Sequence, residues 1–280
     1  MTTIHHPLSS LGPLHPPQAP TTTHQASLAQ RIRIVVHDPH DHEAPAILHQ
    51  PRNYNAREVH GAAVILISGA GGGVSGPSGI YPSLADKLTT LLSIPVIRLD
   101  YREPARTQYC TADVIAAMDY LGQQYQSRRF VVVGWSFGGS PCFTVAAKEP
   151  ERVVGIATVA SQTALTSGIA KLSPRPLLLL HGTGDTVLSS RCSEVLYGQY
   201  GTEGVRELKT FPGDDHGLSQ NAEEAERLIL LFAGRTLGFE NRLEMVSQDG
   251  RRQSWAGGWE ERLQAMKEGR DLENGEAVNY

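Results

Sequence analysis

Apolar and polar positions divide the chain into stretches of different period. From Arg31 to His37 they alternate, the period-two pattern of an edge strand, and Ala46–His49 is a second short strand placed to pair with it. The pattern changes at Gly61. Ala62–Ser68 (AAVILIS), Phe130–Val133 and Leu177–Leu180 are continuous apolar runs, the mark of strands covered on both faces. Stretches of helical period lie between them, at Tyr81–Leu92, Thr111–Tyr125, Gly138–Lys148, Ser190–Tyr200 and Asn221–Phe232. In the second of these, Val114, Met118, Leu121 and Tyr125 share one face. Further strands are predicted at Pro95–Leu99, Val153–Val159, Pro176–His181 and Arg206–Phe211. Asn221 and Glu224 have capping-box spacing, and Gly234 stands where a helix stop is expected. Strands alternating with helices predict one α/β domain, a doubly wound, mostly parallel sheet with helices on both faces.

The flanks read differently. Residues 1–28 are rich in Pro, Thr, His and Ser and nearly uncharged, the composition of a disordered arm. Its histidines, His5, His6, His15 and His24, have no regular metal-ligand spacing. Residues 29–235 form the expected sheet domain. Residues 236–280 are a polar, charge-rich extension in which Leu263 and Met266 suggest at most an appended helix.

Charge and composition narrow the function. Lys and Arg total 25 against 29 Asp and Glu, so no positive excess is available to hold a nucleic-acid backbone. No apolar run approaches the ~18 residues of a membrane span. The start, MTTIHHPLSSLGPLHPP, lacks the basic and apolar regions of a secretory signal, and no Arg precedes Arg31 as a transit peptide would require. Cys110, Cys142 and Cys192 are an odd set without paired spacing, as expected of reduced thiols. The expectation is a soluble, cytoplasmic protein with no membrane or nucleic-acid partner; a homodimer stays open.

The candidate chemistry starts at Gly134-Trp135-Ser136-Phe137-Gly138. A G-x-S-x-G between a strand and a helix is the setting of a nucleophile elbow, in which glycines let strand and helix approach while the serine takes strained geometry. A hydroxyl needs a base to take its proton and an acid to orient that base. Two histidines follow Ser136. His181 ends a strand and reads as a residue shaping the next loop. His216, in GDDHG just past the last strand, can reach the sheet's carboxyl edge as the base. For the acid, Asp185 follows the Leu177–Leu180 strand. Asp214 and Asp215 adjoin His216 and read as turn residues, and Asp100 reads as a loop anchor.

The glycine loop SGAGGGVSG has three readings. As a phosphate-binding P-loop it fails, since Pro77 stands where Lys is required. As a dinucleotide fingerprint, Gly71, Gly73 and Gly76 satisfy G-x-G-x-x-G, with Asp100 near the distance of a ribose-binding acid; this would make an NAD(P)-binding oxidoreductase. As an oxyanion loop, the N–H groups near Ala70 and Gly71, with that of Phe137, would face developing negative charge. Only the third reading accounts for Ser136, Asp185 and His216 together.

The set SGAGGG, GWSFGG, HGTGD and GDDHG, in this order, resembles the α/β-hydrolase superfamily, with the flavour of dienelactone-hydrolase-like small serine hydrolases, over about residues 31–235. The resemblance implies Ser136 as nucleophile, Asp185 as acid, His216 as base, and Ala70 and Phe137 as oxyanion amides. It implies no cofactor and no metal, and a small-molecule acyl substrate: ester, thioester or lactone. A catalytically silent binding protein on the same fold is the other alternative. Two positions depart from the pattern. Ser68-Gly69 replaces the frequent His-Gly, and Ser136 replaces the cysteine of typical dienelactone hydrolases, so their lactone substrate does not carry over. Ser161–Ser173 leaves room for a minimal lid only, and Trp135 and Tyr101 are the expected pocket walls.

Overall fold

The continuous apolar runs become the central strands, and their burial shows why they carry no polar positions. In Ala62–Ile67, Ala63, Ile65 and Ile67 enter one apolar core while Ala62, Val64 and Leu66 enter another on the opposite face. Phe130 and Val132 against Val131 and Val133 repeat the division, as do Leu177 and Leu179 against Leu178 and Leu180. A strand with side chains of period two must be apolar throughout when both faces are covered.

A computed structural model describes residues 27–243, together with a two-residue antiparallel ladder of Thr3–Ile4 with Val278–Asn279. The helix suggested around Leu263 and Met266, and the expectations for most of the N-terminal arm, lie outside the described residues. The main sheet has eight strands: β1 (Leu28–Val36), β2 (His42–Gln50), β3 (Ala62–Ile67), β4 (Val96–Leu99), β5 (Arg129–Trp135), β6 (Val153–Val159), β7 (Leu177–Gly182) and β8 (Arg206–Phe211). Their order across the sheet is β1-β2-β4-β3-β5-β6-β7-β8. Only β2 runs antiparallel to its neighbours; β4 through β8 are mutually parallel with β3.

Helices α2 (Thr107–Tyr125), α3 (Gly139–Lys148) and α4 (Arg191–Gln199) cover one face. Helices α1 (Tyr81–Leu92) and α5 (Ala222–Leu237) cover the other. Among the described residues no helix is long and apolar enough to cross a membrane. Between β6 and β7 there is only a short 3-10 helix, Ser167–Lys171, lying against α3, so the lid is minimal.

Three local expectations are corrected. The β1–β2 hairpin is longer than the alternation suggested, pairing Leu28 with Gln50 through Val36 with His42. Helix α2 begins at Thr107 rather than Thr111, because Thr107 Oγ1 meets Ser140 Oγ on α3 at 3.0 Å and Cys110 is drawn into the core. The capping box at Asn221 does not form: the Asn221 amide donates to Asp214 Oδ2 at 2.8 Å instead. Nor does Gly234 stop α5. It lies inside the helix, where a Cβ would collide with Leu243, and the helix ends at Gly238 in left-handed geometry (φ 84°). Phe239 and Leu243 are buried, so core packing continues past Arg235.

Ile65 is fully buried and Val35 is 55% exposed. Ile65→Ala should lower unfolding stability by about 2 to 5 kcal/mol, and Val35→Ala should change it by less than about 0.5 kcal/mol. Urea denaturation followed by circular dichroism checks the contrast.

Candidate functional site

The serine is set by the turn that carries it. Trp135 is the last extended residue of β5, and Ser136 opens a one-turn 3-10 helix with φ 55°, a left-handed conformation costly for a residue with a Cβ. The flanking glycines are required by space. A Cβ on Gly134 would lie 2.6 Å from the Gly138 carbonyl oxygen and 2.7 Å from Cys142 Sγ; one on Gly138 would lie 2.7 Å from the Ser68 carbonyl oxygen. Strand, helix and glycine loop thus pack backbone to backbone beneath Ser136.

The glycine loop follows β3 and passes beside the serine, Gly69 lying in van der Waals range of Ser136 Cβ. Its course is pinned by Asp100 at the end of β4, whose Oδ1 accepts the N–H groups of Gly73 and Tyr101, each at 2.8 Å. Asp100 is buried, so this carboxylate is spent inside the protein and is not presented to a ribose. Ala70 and Gly71 are exposed, and among the described residues their amides donate to no acceptor. Phe137 lies in the first turn of the 3-10 helix, where backbone N–H groups have no helical partner. Tyr101, expected as a pocket wall, is instead buried. Its hydroxyl donates to the Ser68 carbonyl at 3.2 Å and its ring meets Phe137 edge-on at 6.0 Å, so it supports the glycine loop from below.

His216 sits in the loop after β8. Its Nδ1 lies 2.7 Å from Asp185 Oδ2, in the loop after β7. The carboxylate's other oxygen accepts the N–H groups of Val187 at 2.7 Å and Leu188 at 2.9 Å. Burial alone would raise the Asp185 pKa; the hydrogen bonds from His216 and from the Leu188 and Val187 amides outweigh it and hold the group below its ordinary value. Asp214 and Asp215 do not meet the ring. Asp214 is buried and accepts from the Asp215 and Gln220 amides and from Asn221, while Asp215 accepts from Gly217 and Ser219. Both carboxylates build the turn that carries His216.

Trp135 has a more specific place than a pocket wall. Its indole N–H donates to the His216 carbonyl at 3.1 Å, and the two rings lie 5.7 Å apart, tilted by 41°. Nothing in the spacing of the sequence signalled this clamp. His216 Nε2 makes no hydrogen bond among the described residues, and none joins it to Ser136 Oγ. In an unliganded site that link commonly tightens only when substrate binds. Among the described residues no group of three or more His, Cys, Asp or Glu side chains could hold a metal ion.

With this geometry, comparison with known proteins is informative. A family model described as the alpha/beta hydrolase fold matches residues 62–191. The chain has the α/β-hydrolase fold. Among solved structures with this fold it is similar to Est1E from Butyrivibrio proteoclasticus, at 16% identity and a TM-score of 0.60, covering 74% of this chain and 99% of that one. It is also similar to a dienelactone hydrolase from Anabaena variabilis, at 17% identity and 0.61, covering 75% and 97%. An esterase domain from a Rhodothermus marinus protein aligns at 17% and 0.58, covering 75% and 98%. Comparison with curated proteins gives no significant match. The α/β-hydrolase fold puts the loops after β3, β5, β7 and β8 at one edge of the sheet, which is how Gly69, Ser136, Asp185 and His216 share a site.

The lowered pKa of Asp185 has a consequence for stability. A carboxyl group whose folded pKa is depressed contributes stability that is full above its unfolded pKa, about 3.9, and that is lost as pH falls through the lower folded value. The melting temperature of the wild type should therefore exceed that of Asp185→Asn most at neutral pH, with the difference shrinking as pH falls below about 4. Scanning calorimetry from pH 7 to pH 3 checks it.

Proposed function

We propose that the protein is a serine hydrolase that cleaves an ester, thioester or lactone through an acyl-enzyme on Ser136. The observation that carries this reading is a serine in left-handed elbow geometry on the same sheet edge as an imidazole whose Nδ1 is held by a buried carboxylate. The sheet alone would not carry it, since one fold serves many functions. The dienelactone hydrolase and the esterase domain that share the fold support a carboxylic acyl bond as the target.

In this reading Ser136 Oγ attacks the acyl carbon while His216 Nε2 takes its proton. Asp185, facing Nδ1, keeps that nitrogen protonated in the resting ring and stabilises the imidazolium. The tetrahedral oxyanion is received by the amides of Phe137 and of Ala70 or Gly71, each such donor being worth about 3 kcal/mol of transition-state stabilisation. The leaving group departs with the proton from Nε2. Water, deprotonated by the same nitrogen, then attacks the acyl-enzyme and releases the acid. A short β6–β7 segment leaves no large cap over these steps.

A fluorophosphonate probe should label the wild type at Ser136, located by mass spectrometry of the modified peptide. Ser136→Ala should lose labelling and lower turnover of a p-nitrophenyl ester by roughly 10³ to 10⁶ without loss of fold. Labelling at a different serine, with Ser136→Ala still active, would refute the assignment.

The acid is tested separately. Asp185→Asn should come within a few tens-fold of the loss in His216→Ala, and the double variant should lose little more than His216→Ala alone. Asp214→Asn should act on thermal stability more than on turnover, because its carboxylate holds loop amides and never meets the ring.

A further inference from the structure

We infer that His181 and Ser193 form a positioning pair behind the acid, which holds the Asp185 carboxylate in the plane that His216 needs. The inference rests on the serine-hydrolase reading and names two further residues in its machinery.

His181 lies near the end of β7 with no exposed surface. Its Nε2 faces two acceptors, Asp185 Oδ2 at 3.2 Å and the Leu188 carbonyl at 3.0 Å. Neither can donate, so Nε2 carries the hydrogen and is shared between them. With the neutral ring's proton there, Nδ1 is an acceptor, and the Ser193 hydroxyl, 2.7 Å away and buried on α4, donates to it. Ser193 therefore fixes the tautomer that His181 needs in order to face a carboxylate.

Asp185 then has four donors. Two backbone amides hold Oδ1, and two imidazole N–H groups, from His181 and His216, converge on Oδ2. The amides anchor one oxygen but leave the group able to pivot about it. The His181 hydrogen bond stops the pivot and ties the acid to the Leu188 carbonyl, so the turn and the carboxylate are set as one piece. Displacing Oδ2 from the Nδ1 line would misplace the base relative to Ser136, and a shift near 1 Å in such a relay costs on the order of a hundredfold in rate. The four-residue spacing from His181 to Asp185 was visible in the sequence; the partner on α4 was not.

The test needs no natural substrate. Fluorophosphonate labelling forms a Ser136 Oγ–P bond, breaks P–F, releases fluoride and passes the serine proton to His216 Nε2, so its maximal rate reports the relay and its half-saturating concentration reports probe binding. In the full-length protein, His181→Phe should lower the maximal rate roughly ten- to a hundredfold while the half-saturating concentration moves less than about twofold. His181→Gln keeps an N–H donor near the Nε2 position and should recover most of that rate. Ser193→Ala should slow labelling several-fold. In an Asp185→Asn background, adding His181→Phe should cost little more.

A wild-type maximal rate in His181→Phe would overturn the inference. So would equal losses in His181→Phe and His181→Gln, or a loss confined to half-saturation. If His181→Phe does not melt cooperatively, Ser193→Ala and His181→Gln decide: wild-type labelling by Ser193→Ala overturns the pair. A wild-type protein that is not labelled at Ser136 refutes the serine-hydrolase reading itself, which these variants leave distinct.

Discussion

A parallel strand buried on both faces has no side chain to spare for chemistry. In β3, β5 and β7 every inward and outward position is committed to one of two apolar cores. Polar function is therefore pushed to the ends of the strands, and because β3 through β8 run in one direction, their carboxyl ends fall on one edge. The glycine loop leaves β3, Ser136 leaves β5, Asp185 leaves β7 and His216 leaves β8. Covering both faces of the sheet is what brings residues far apart in sequence into one site.

Loops held at such an edge need anchors, and here carboxylates supply them. Asp100 accepts two amides and fixes the glycine loop. Asp214 and Asp215 between them accept four amides and two side-chain donors and build the His216 turn. Asp185 also accepts two amides, yet it differs in one respect: only one of its oxygens is spent on backbone, and the other faces an imidazole. Burying a carboxylate is costly unless it is hydrogen-bonded. The same saturation that makes each group tolerable makes three of them anchors and leaves the fourth an orienting acid.

The elbow follows a related logic of close approach. Left-handed geometry at Ser136 is sustained because Gly134 and Gly138 allow β5, the helix and the glycine loop to touch without side chains between them. The Trp135 indole reaches over the serine to the His216 carbonyl, so the residue beside the nucleophile also steadies the base loop.

Much of this was written in local pattern. Apolar runs and helical periods are set by burial, and burial has a period that a single segment reveals. The parallel sheet, the elbow at Ser136 and the loop positions of Asp185 and His216 were legible for that reason. Ends and partners were not. The early start of α2 depends on Ser140, and the true end of α5 depends on Leu243 folding back on Gly234. Asn221 gives up capping for Asp214, Tyr101 turns from the pocket to Ser68, and His181 finds Ser193 on the next helix. Each of these is a choice among polar or apolar partners that become neighbours only after the chain has folded. The sequence by itself determined which segments are strands, which are helices and which loops carry reactive groups. Only the tertiary structure decided which carboxylate meets which imidazole, because a hydrogen bond is specific to distances and angles that the linear chain does not contain.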